Sequence, residues 1–122
     1  MRMATTSFTQ LNVWKKAHEV VLSVYRLTQG FPVDERYGLS AQMRKAAVSI
    51  PANIAEGFGR RKPADKARFY NISKGSAEEL AYYLILARDL QYADDESAIT
   101  AALDEVARML RRLTESTLDS RF

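Results

Sequence analysis

The chain has no cysteine, and it has only three prolines and five glycines among its 122 residues. The absence of cysteine excludes disulfides, thiolate catalysis and cysteine-based zinc or iron–sulfur sites. It also fits a reducing compartment, so we expect a cytoplasmic location. The scarcity of proline and glycine argues against an all-β protein, which needs a turn about every 8–12 residues.

Long apolar runs are missing too. No stretch approaches the ~18 consecutive apolar residues that span a membrane, and the opening MRMATTSFTQL lacks the apolar core of a secretory signal. Apolar residues make up 47% of the chain and charged residues 27%, as in one folded domain. We expect a single domain over residues 1–122, with residues 1–7 disordered and residues 119–122 frayed.

Helical periodicity is what the sequence has in abundance. Apolar residues recur every three or four positions, the spacing of a buried helix face, in four segments: residues 13–31, 39–58, 69–90 and 99–117. Short polar connections join these segments. The pattern predicts an all-α protein folded as an antiparallel up-down-up-down four-helix bundle.

Two of these segments raise a question about which face is buried. The first carries a second apolar stripe, which we expect to face a neighbouring helix or subunit: Leu11, Trp14, His18, Val21 and Tyr25. In the third segment the residues predicted to face the core are Phe69, Ile72, Ser76, Leu80, Ala87 and Leu90, with either Tyr83 or Leu84.

The segment SIPANIAEGFGRR, residues 49–61, combines a proline with a Gly-x-Gly. Neither the third glycine of a dinucleotide loop nor the Gly-Lys-Ser/Thr of a P-loop follows, and no strand precedes, so we interpret it as a helix. Pro51 has no N–H to donate to the Ala47 carbonyl, which predicts a kink in the second helix. We expect water or a side chain to bind that carbonyl, with Ser49, Asn53 or a group on a neighbouring helix as the candidates.

Polar residues between the second and third helices predict a hydrogen-bonded cluster that fixes their register: Ser49, Asn53, Glu56, Ser76 and Glu79. Asn53 and Glu56 are three residues apart and share a helix face. A solvated position for Glu56 near the helix end is an equally good interpretation.

Two stretches, residues 13–61 and 69–90, strongly resemble the bacterial 23S rRNA intervening sequence protein family, also called the four helix bundle protein family. SIPANIAEG together with the later GSAEEL carries the resemblance, which covers roughly residues 8–92. Members are similar to accessory proteins of diversity-generating retroelements, which form pentameric barrels and bind nucleic acid through basic surfaces. The resemblance therefore implies that the chain forms a homo-oligomer, specifically a pentamer, and that it binds RNA or DNA. Lys62 departs from the Ser or Thr cap typical of the family.

We predict no catalytic residue, no cofactor, no metal site and no small-molecule substrate. The single histidine, His18, lies on a helix face without a partner base, acid or nucleophile. No pair of potential ligands has the spacing of a helical metal site. Asp94 or Asp95 is expected to cap the fourth helix. An enzyme is conceivable only if oligomerisation brings distant residues together.

Positive charge is concentrated, although the net charge is only +3. The predicted nucleic-acid-binding residues form two groups, one at the second connection and one on the last helix: Arg60, Arg61, Lys62, Lys66 and Arg68, then Arg108, Arg111 and Arg112. Phe58 and Tyr70 are expected to stack on bases. The alternative interpretation is a solvated surface that keeps the bundle soluble.

The function predicted is that of a non-enzymatic, oligomeric accessory or scaffold protein that binds RNA or DNA through basic surfaces. The alternative is a protein–protein interaction scaffold with no role in nucleic-acid binding. Neither alternative involves a membrane.

Overall fold

The structure, a computed structural model, describes residues 5–119. Its four α-helices are α1 (Asn12–Thr28), α2 (Leu39–Phe58), α3 (Pro63–Asp89) and α4 (Ser97–Asp119), with 3₁₀ helices at Phe8–Gln10 and Val33–Glu35. Residues 5–119 include no strand, which confirms the prediction of an all-α fold. Of the expected disordered and frayed ends, residues 1–4 and 120–122 lie outside the described residues.

The helices pack in chain order around one core. Each helix contacts the next, and α4 contacts α1, as the predicted bundle requires. The residues that are almost completely buried include two from each helix: Val20, Val24, Ile50, Ile54, Leu80, Leu84, Val106 and Leu110. Each such side chain contributes about 1.5–3 kcal/mol by leaving water. None of the helices in residues 5–119 is long and apolar enough to cross a bilayer.

The first half of α3 buries a different face from the one predicted. Tyr70, Ser73 and Ala77 face the core, whereas Ile72 is 42% exposed and Phe69 is half-buried. From Leu80 to Ala87 the prediction is right, because Leu80, Leu84 and Ala87 are buried. For Leu90 it is wrong, because Leu90 follows the last residue of α3 and is 45% exposed. Apolar residues occupy both faces of α3 at its start, and periodicity alone cannot choose between two apolar faces.

α2 continues through Pro51 without interruption, and Pro51 itself is buried. Two side chains donate to carbonyls beside it: Asn53 Nδ2 to Ser49 O at 2.8 Å, and the buried Ser73 hydroxyl to Ile50 O. Within residues 5–119 no side chain donates to the Ala47 carbonyl, so neither Ser49, Asn53 nor a neighbouring helix binds it, and water stays the predicted partner. The kink at Pro51 stays a prediction.

Gly57 is the point of closest approach between α2 and α3. A Cβ atom on this buried residue would lie 2.7 Å from Tyr70 Cε1 and 3.1 Å from the Lys66 backbone oxygen. A Cβ atom essentially never lies within 3.0 Å of an atom to which it is not bonded, so the two helices can cross this closely only because residue 57 has no side chain. This crossing places the start of α3, which carries much of the positive charge.

At the other end of the bundle, Glu35 joins two connections. Its Oε1 accepts from the Leu39 N–H at 3.1 Å and so caps α2, while its Oε2 accepts from the Tyr92 hydroxyl at 3.1 Å. The Tyr92 ring also contacts Phe31, with the ring centroids 5.5 Å apart. The α1–α2 and α3–α4 connections are therefore held together by one carboxylate and one aromatic pair.

The start of α4 is fixed by Asp95, one of the two residues predicted to cap it. Asp95 Oδ1 accepts from the Ser97 backbone N–H at 3.0 Å and from the Ser97 hydroxyl at 2.6 Å. These two donors lower the pKa of the Asp95 carboxyl. Just before it, Gln91 adopts a left-handed backbone with φ of 62°, and the Tyr92 N–H closes α3 on the Ala87 carbonyl.

Tyr92→Phe is expected to change how stability depends on alkaline pH. The hydrogen bond to Glu35, followed by burial and the negative charges of Glu35 and Asp34, raises the pKa of Tyr92 above 10.0. A raised pKa stabilises the folded protein below the unfolded-state pKa, and this stabilisation is lost as pH rises through the folded value. The variant should be less stable at neutral pH and lose less stability above pH 10.

Urea unfolding across this pH range measures the difference. Tyr37→Phe is the matched control, because the Tyr37 side chain is 88% exposed. It should follow the wild-type profile. An equally steep alkaline loss in Tyr92→Phe and in the wild type would contradict the role of the Glu35 hydrogen bond.

Candidate nucleic-acid interface

The corner between α2 and α3 is short and tightly turned. α2 ends at Phe58 with Gly59 as its C-cap, and α3 begins at Pro63, which is favoured at the first helical position because its φ is already helical. Lys62 occupies the N-cap position without a side-chain hydrogen bond, as the sequence predicts. We call residues 59–69 the basic corner. Its cations fall within nine residues: Arg60, Arg61, Lys62, Lys66 and Arg68.

Two arginines of the basic corner, Arg60 and Arg68, contact the same aromatic ring, that of Phe69. The guanidinium carbon of Arg60 lies 4.7 Å from the centroid of the Phe69 ring, and that of Arg68 lies 4.4 Å from it. Each contact contributes about 0.5–1 kcal/mol at an exposed site. Arg60 also pairs with Glu56 one helical turn earlier, at 3.4 Å. Phe69 thus positions two guanidinium groups, a role that the sequence pattern did not reveal.

The Lys66 side chain stabilises the end of α2 and is not a free surface cation. Its ammonium donates to the carbonyl oxygens of Phe58 at 2.7 Å and Gly57 at 3.5 Å, and it lies 5.4 Å from the Phe58 ring centroid. A cation at this place satisfies carbonyls left open at the end of α2 and complements the negative end of the helix dipole. Of the five cations, Lys66 is the one already bound to the backbone.

Arg61 and Lys62 are exposed and extend from the turn itself. In the described part of the chain, neither side chain has a hydrogen bond or an ion pair. Asp65, in the first turn of α3, is the one acidic residue of the basic corner. Two unpaired cations therefore extend from this turn, near the two arginines that contact Phe69.

The second predicted group lies on α4. Arg108, Arg111 and Arg112 are all exposed, and their spacing of three and four residues puts them on adjoining positions of one helix face. α4 runs antiparallel to α3, so its C-terminal half lies toward the end of the bundle at which α3 begins. Both basic groups consequently belong to the same half of the molecule.

Of the two aromatic residues expected to stack on bases, Tyr70 is excluded. Its ring is 2% exposed and packs against Gly57, and burial raises its pKa. Phe58 is half-buried beneath Lys66. Phe69 is also half-buried, and the shift of the buried face by one residue turns Tyr70 and not Phe69 toward the core.

Comparison with known proteins agrees with this fold. Residues 9–112 match the model of the family described as 23S rRNA-intervening sequence protein. The chain belongs to this family. The match includes most of α4, beyond the region that carried the sequence resemblance.

Solved structures share the bundle. One of them is a protein of unknown function from the S23 ribosomal protein family of Bacteroides thetaiotaomicron, similar with a TM-score of 0.77 and 24% sequence identity. The alignment covers 84% of this chain and 95% of that one. At this identity the similarity shows the fold alone. No curated protein matches the chain.

In this member of the 23S rRNA intervening sequence family, three of the five polar residues predicted between α2 and α3 form a chain of hydrogen bonds. Ser49 Oγ lies 2.8 Å from Ser76 Oγ, and Asn53 Nδ2 donates to Ser49 Oγ at 2.9 Å. The bond between the two serines crosses from α2 to α3. This bond ties the two helices together at a fixed register. Ser49 is two residues before Pro51 and one helical turn before Asn53.

The other two polar residues bind elsewhere. Glu56 is exposed and pairs with Arg60, and Glu79 accepts from the Tyr83 hydroxyl at 3.0 Å within α3. That hydrogen bond raises the pKa of Tyr83. The two carboxylates are thus on helix surfaces and outside the serine–asparagine chain.

His18 is exposed on α1, and its ring stacks almost parallel on Trp14 with the centroids 5.2 Å apart. Within residues 5–119 no three histidine, aspartate or glutamate side chains converge as metal ligands. Nothing in this family comparison assigns the chain a reaction.

Proposed function

We propose that this protein is a non-enzymatic oligomer that binds RNA or DNA through the basic corner, as an accessory or scaffold protein. The observation that supports it is the arrangement of cations there. The Arg61 and Lys62 side chains are unpaired, and Arg60 and Arg68 both contact the half-buried ring of Phe69. Three to four cations in one turn are well suited to a phosphate backbone.

The ion pair with Glu56 does not prevent Arg60 from binding a phosphate. Glu56 is 57% exposed at its side chain and Arg60 44%, and an exposed pair at this spacing is worth only about 0.3–0.5 kcal/mol. A phosphate therefore displaces Glu56 at little cost. The planar guanidinium groups held on Phe69 also present flat outer faces, on which unpaired bases stack. Lys66 contributes charge without direct contact, because its ammonium is bound to α2.

Assembly into a ring would multiply this surface. Large apolar side chains on the outside of α1 and α3 are exposed in the single chain: Leu22, Tyr25, Ile72, Tyr82 and Ile85. Exposed apolar residues in such number mark interaction surfaces. We propose a homopentamer, by analogy with the retroelement accessory proteins, in which each subunit adds one basic corner to the same rim.

The oligomer is expected to appear in light scattering of the purified chain at micromolar concentration. The predicted mass is five times that of one chain, and it should persist at high salt because apolar contacts, unlike exposed ion pairs, are not screened. A monomer under these conditions would contradict the assembly and leave the basic corner as an isolated patch.

A second candidate function rests on the same exposed apolar residues. A protein partner that docks on the outer face of α1 or α3 would make the chain an interaction scaffold. This alternative predicts no affinity for nucleic acid, or an affinity that salt does not change.

Titration of fluorescently labelled single-stranded RNA, single-stranded DNA and duplex DNA with the wild-type protein separates the two functions. Anisotropy measured across a salt series should show binding to at least one of them that weakens linearly on a log–log plot. Absence of binding at low salt, or binding independent of salt, would favour the protein scaffold.

A further inference from the structure

A cleft of about 310 Å³ opens between the end of α1 and the start of α2, at the opposite end of the bundle from the basic corner. Its polar lining includes Arg36, Ser40 and Arg44, and Phe31 and Val33 form part of an apolar wall. Two arginines and no carboxylate line it. A cleft with this balance of charge is suited to a small anion.

Ser40 offers an unpaired hydroxyl to the cleft. The residue is 6% exposed and lines the cleft, yet its hydroxyl has no hydrogen bond to any residue between 5 and 119. Every fully buried side-chain nitrogen or oxygen of these residues has a hydrogen-bond partner, so the Ser40 hydroxyl is an atom that solvent reaches. Because the rest of the residue is buried, this hydroxyl is an open donor that faces the cleft.

The first turn of α2, which contains Ser40, also has free backbone N–H donors. α2 is 20 residues long and begins at Leu39, whose N–H is bound by Glu35. The next two N–H groups, those of Ser40 and Ala41, have no carbonyl one turn earlier within the helix. They lie at the positive end of the helix dipole, which favours anions. The Glu35 carboxylate binds Tyr92 on the other side and does not line the cleft.

Arg44 is held in position for a ligand. Its Nε donates to Thr28 Oγ1 at 2.8 Å, its Nη2 reaches the Tyr25 carbonyl at 3.5 Å, and its guanidinium carbon lies 4.7 Å from the Tyr25 ring centroid. Thr28 Oγ1 in turn donates to the Val24 carbonyl. The carbonyl oxygens at the end of α1 that would repel an anion are thus bound, and one edge of the guanidinium stays open.

We infer that this cleft binds a small molecule through a phosphate group. The Ser40 hydroxyl, the N–H groups of Ser40 and Ala41, and the guanidinium groups of Arg36 and Arg44 supply donors on several sides. Such a set matches the several oxygens of a phosphate better than the two of a carboxylate. The apolar wall of Phe31 and Val33 contacts the remainder of the ligand. The site is independent of nucleic-acid binding at the basic corner.

Inorganic phosphate is the probe, titrated to about 10 mM at constant ionic strength into isotopically labelled full-length protein. The amide signals of Ser40 and Ala41 should shift and saturate, as for a site of about 1 mM or tighter. Ser40→Ala and Arg36→Gln should each weaken binding about tenfold, because each removes a hydrogen bond to a charged group. Lys45→Gln, which removes an exposed cation of the same helix outside the cleft, should bind as the wild type does.

Three results would overturn the site. Shifts that stay linear with phosphate concentration would show no site, and equal affinity in all three variants would place the phosphate elsewhere. Acetate that saturates the same signals equally well would exclude a phosphate-selective ligand. Arg36→Gln changes an exposed side chain, so the test remains decisive even if Ser40→Ala does not fold.

Discussion

Replacing Gly57 with alanine is expected to lower the free energy of unfolding by about 1 kcal/mol. The added methyl would lie 2.7 Å from the Tyr70 ring and 3.1 Å from the α3 backbone at Lys66. Tyr70 is 2% exposed, so α3 must shift relative to α2 to make room. Overpacking of this kind costs about 2 kcal/mol, which exceeds the ~1 kcal/mol gained when alanine replaces glycine in a helix.

Gly75→Ala is the matched control for this prediction. Gly75 is an exposed glycine in the middle of α3, and a Cβ atom there has nothing within 4 Å. The same chemical change should therefore stabilise the protein by about 1 kcal/mol. Urea unfolding of both variants at one fixed protein concentration measures the difference. Stabilisation by both would show that the α2–α3 crossing tolerates a side chain.

Gly57→Ala should reduce nucleic-acid binding as well as stability, because Gly57 positions the basic corner. The Lys66 ammonium binds carbonyls at Gly57 and Phe58, and Arg60 contacts Phe69 across the turn. Separation of α2 from α3 would disturb both contacts. Gly57→Ala is thus expected to weaken nucleic-acid binding as well, whereas Gly75→Ala should leave it intact.

The sequence was sufficient to predict α1 and α4, because each has one clearly apolar face. The periodic residues of α4, from Ile99 to Leu110, are buried as predicted, and those of α1 are buried from Val13 to Val24. α3 was harder, since Phe69 and Ile72 on one side and Tyr70 and Ala77 on the other are similarly apolar. Contact with α2 decides which side faces inward, and Gly57 permits Tyr70 to fit there.

The candidate site was predictable in its charges but not in its contacts. A run of cations between two helices is visible in the sequence. That Lys66 binds the end of α2, or that Arg60 and Arg68 meet on Phe69, depends on the angle of the turn. The glycine opposite Tyr70 was the available signal that this tyrosine is packed, because a glycine inside a helix often marks a close approach.

Charge reversal of the basic corner, as Arg60→Glu, Arg61→Glu and Lys62→Glu together, is expected to weaken nucleic-acid binding on the order of a hundredfold at about 0.1 M salt. Each phosphate contact that is lost also loses the entropy of counterion release, and three such contacts account for this magnitude. All three residues are exposed, so the fold should be retained. Fluorescence anisotropy with the best-bound nucleic acid measures the loss.

The control variant carries the same change in net charge at other places: Arg26→Glu, Lys45→Glu and Arg88→Glu. These residues are also exposed, and they lie toward the opposite end of the bundle from the basic corner, near the end of α1, in the first half of α2 and near the end of α3. Reversing these charges changes the electrostatic potential of the whole protein without removing a phosphate contact at the basic corner. Salt at about 0.1 M screens this potential beyond about 10 Å, so the effect on binding should be small. Equal losses in the two triple variants would mean that net charge, and not the basic corner, governs binding.

The salt dependence of binding in the wild type and in the basic-corner variant tests the proposed function most directly. The slope of log K against log salt concentration counts the phosphates that the protein neutralises. We predict that the variant lowers the magnitude of this slope by about 2–3, while the control variant keeps the wild-type value. An unchanged slope in the basic-corner variant would contradict the account, because it would show that these three cations touch no phosphate.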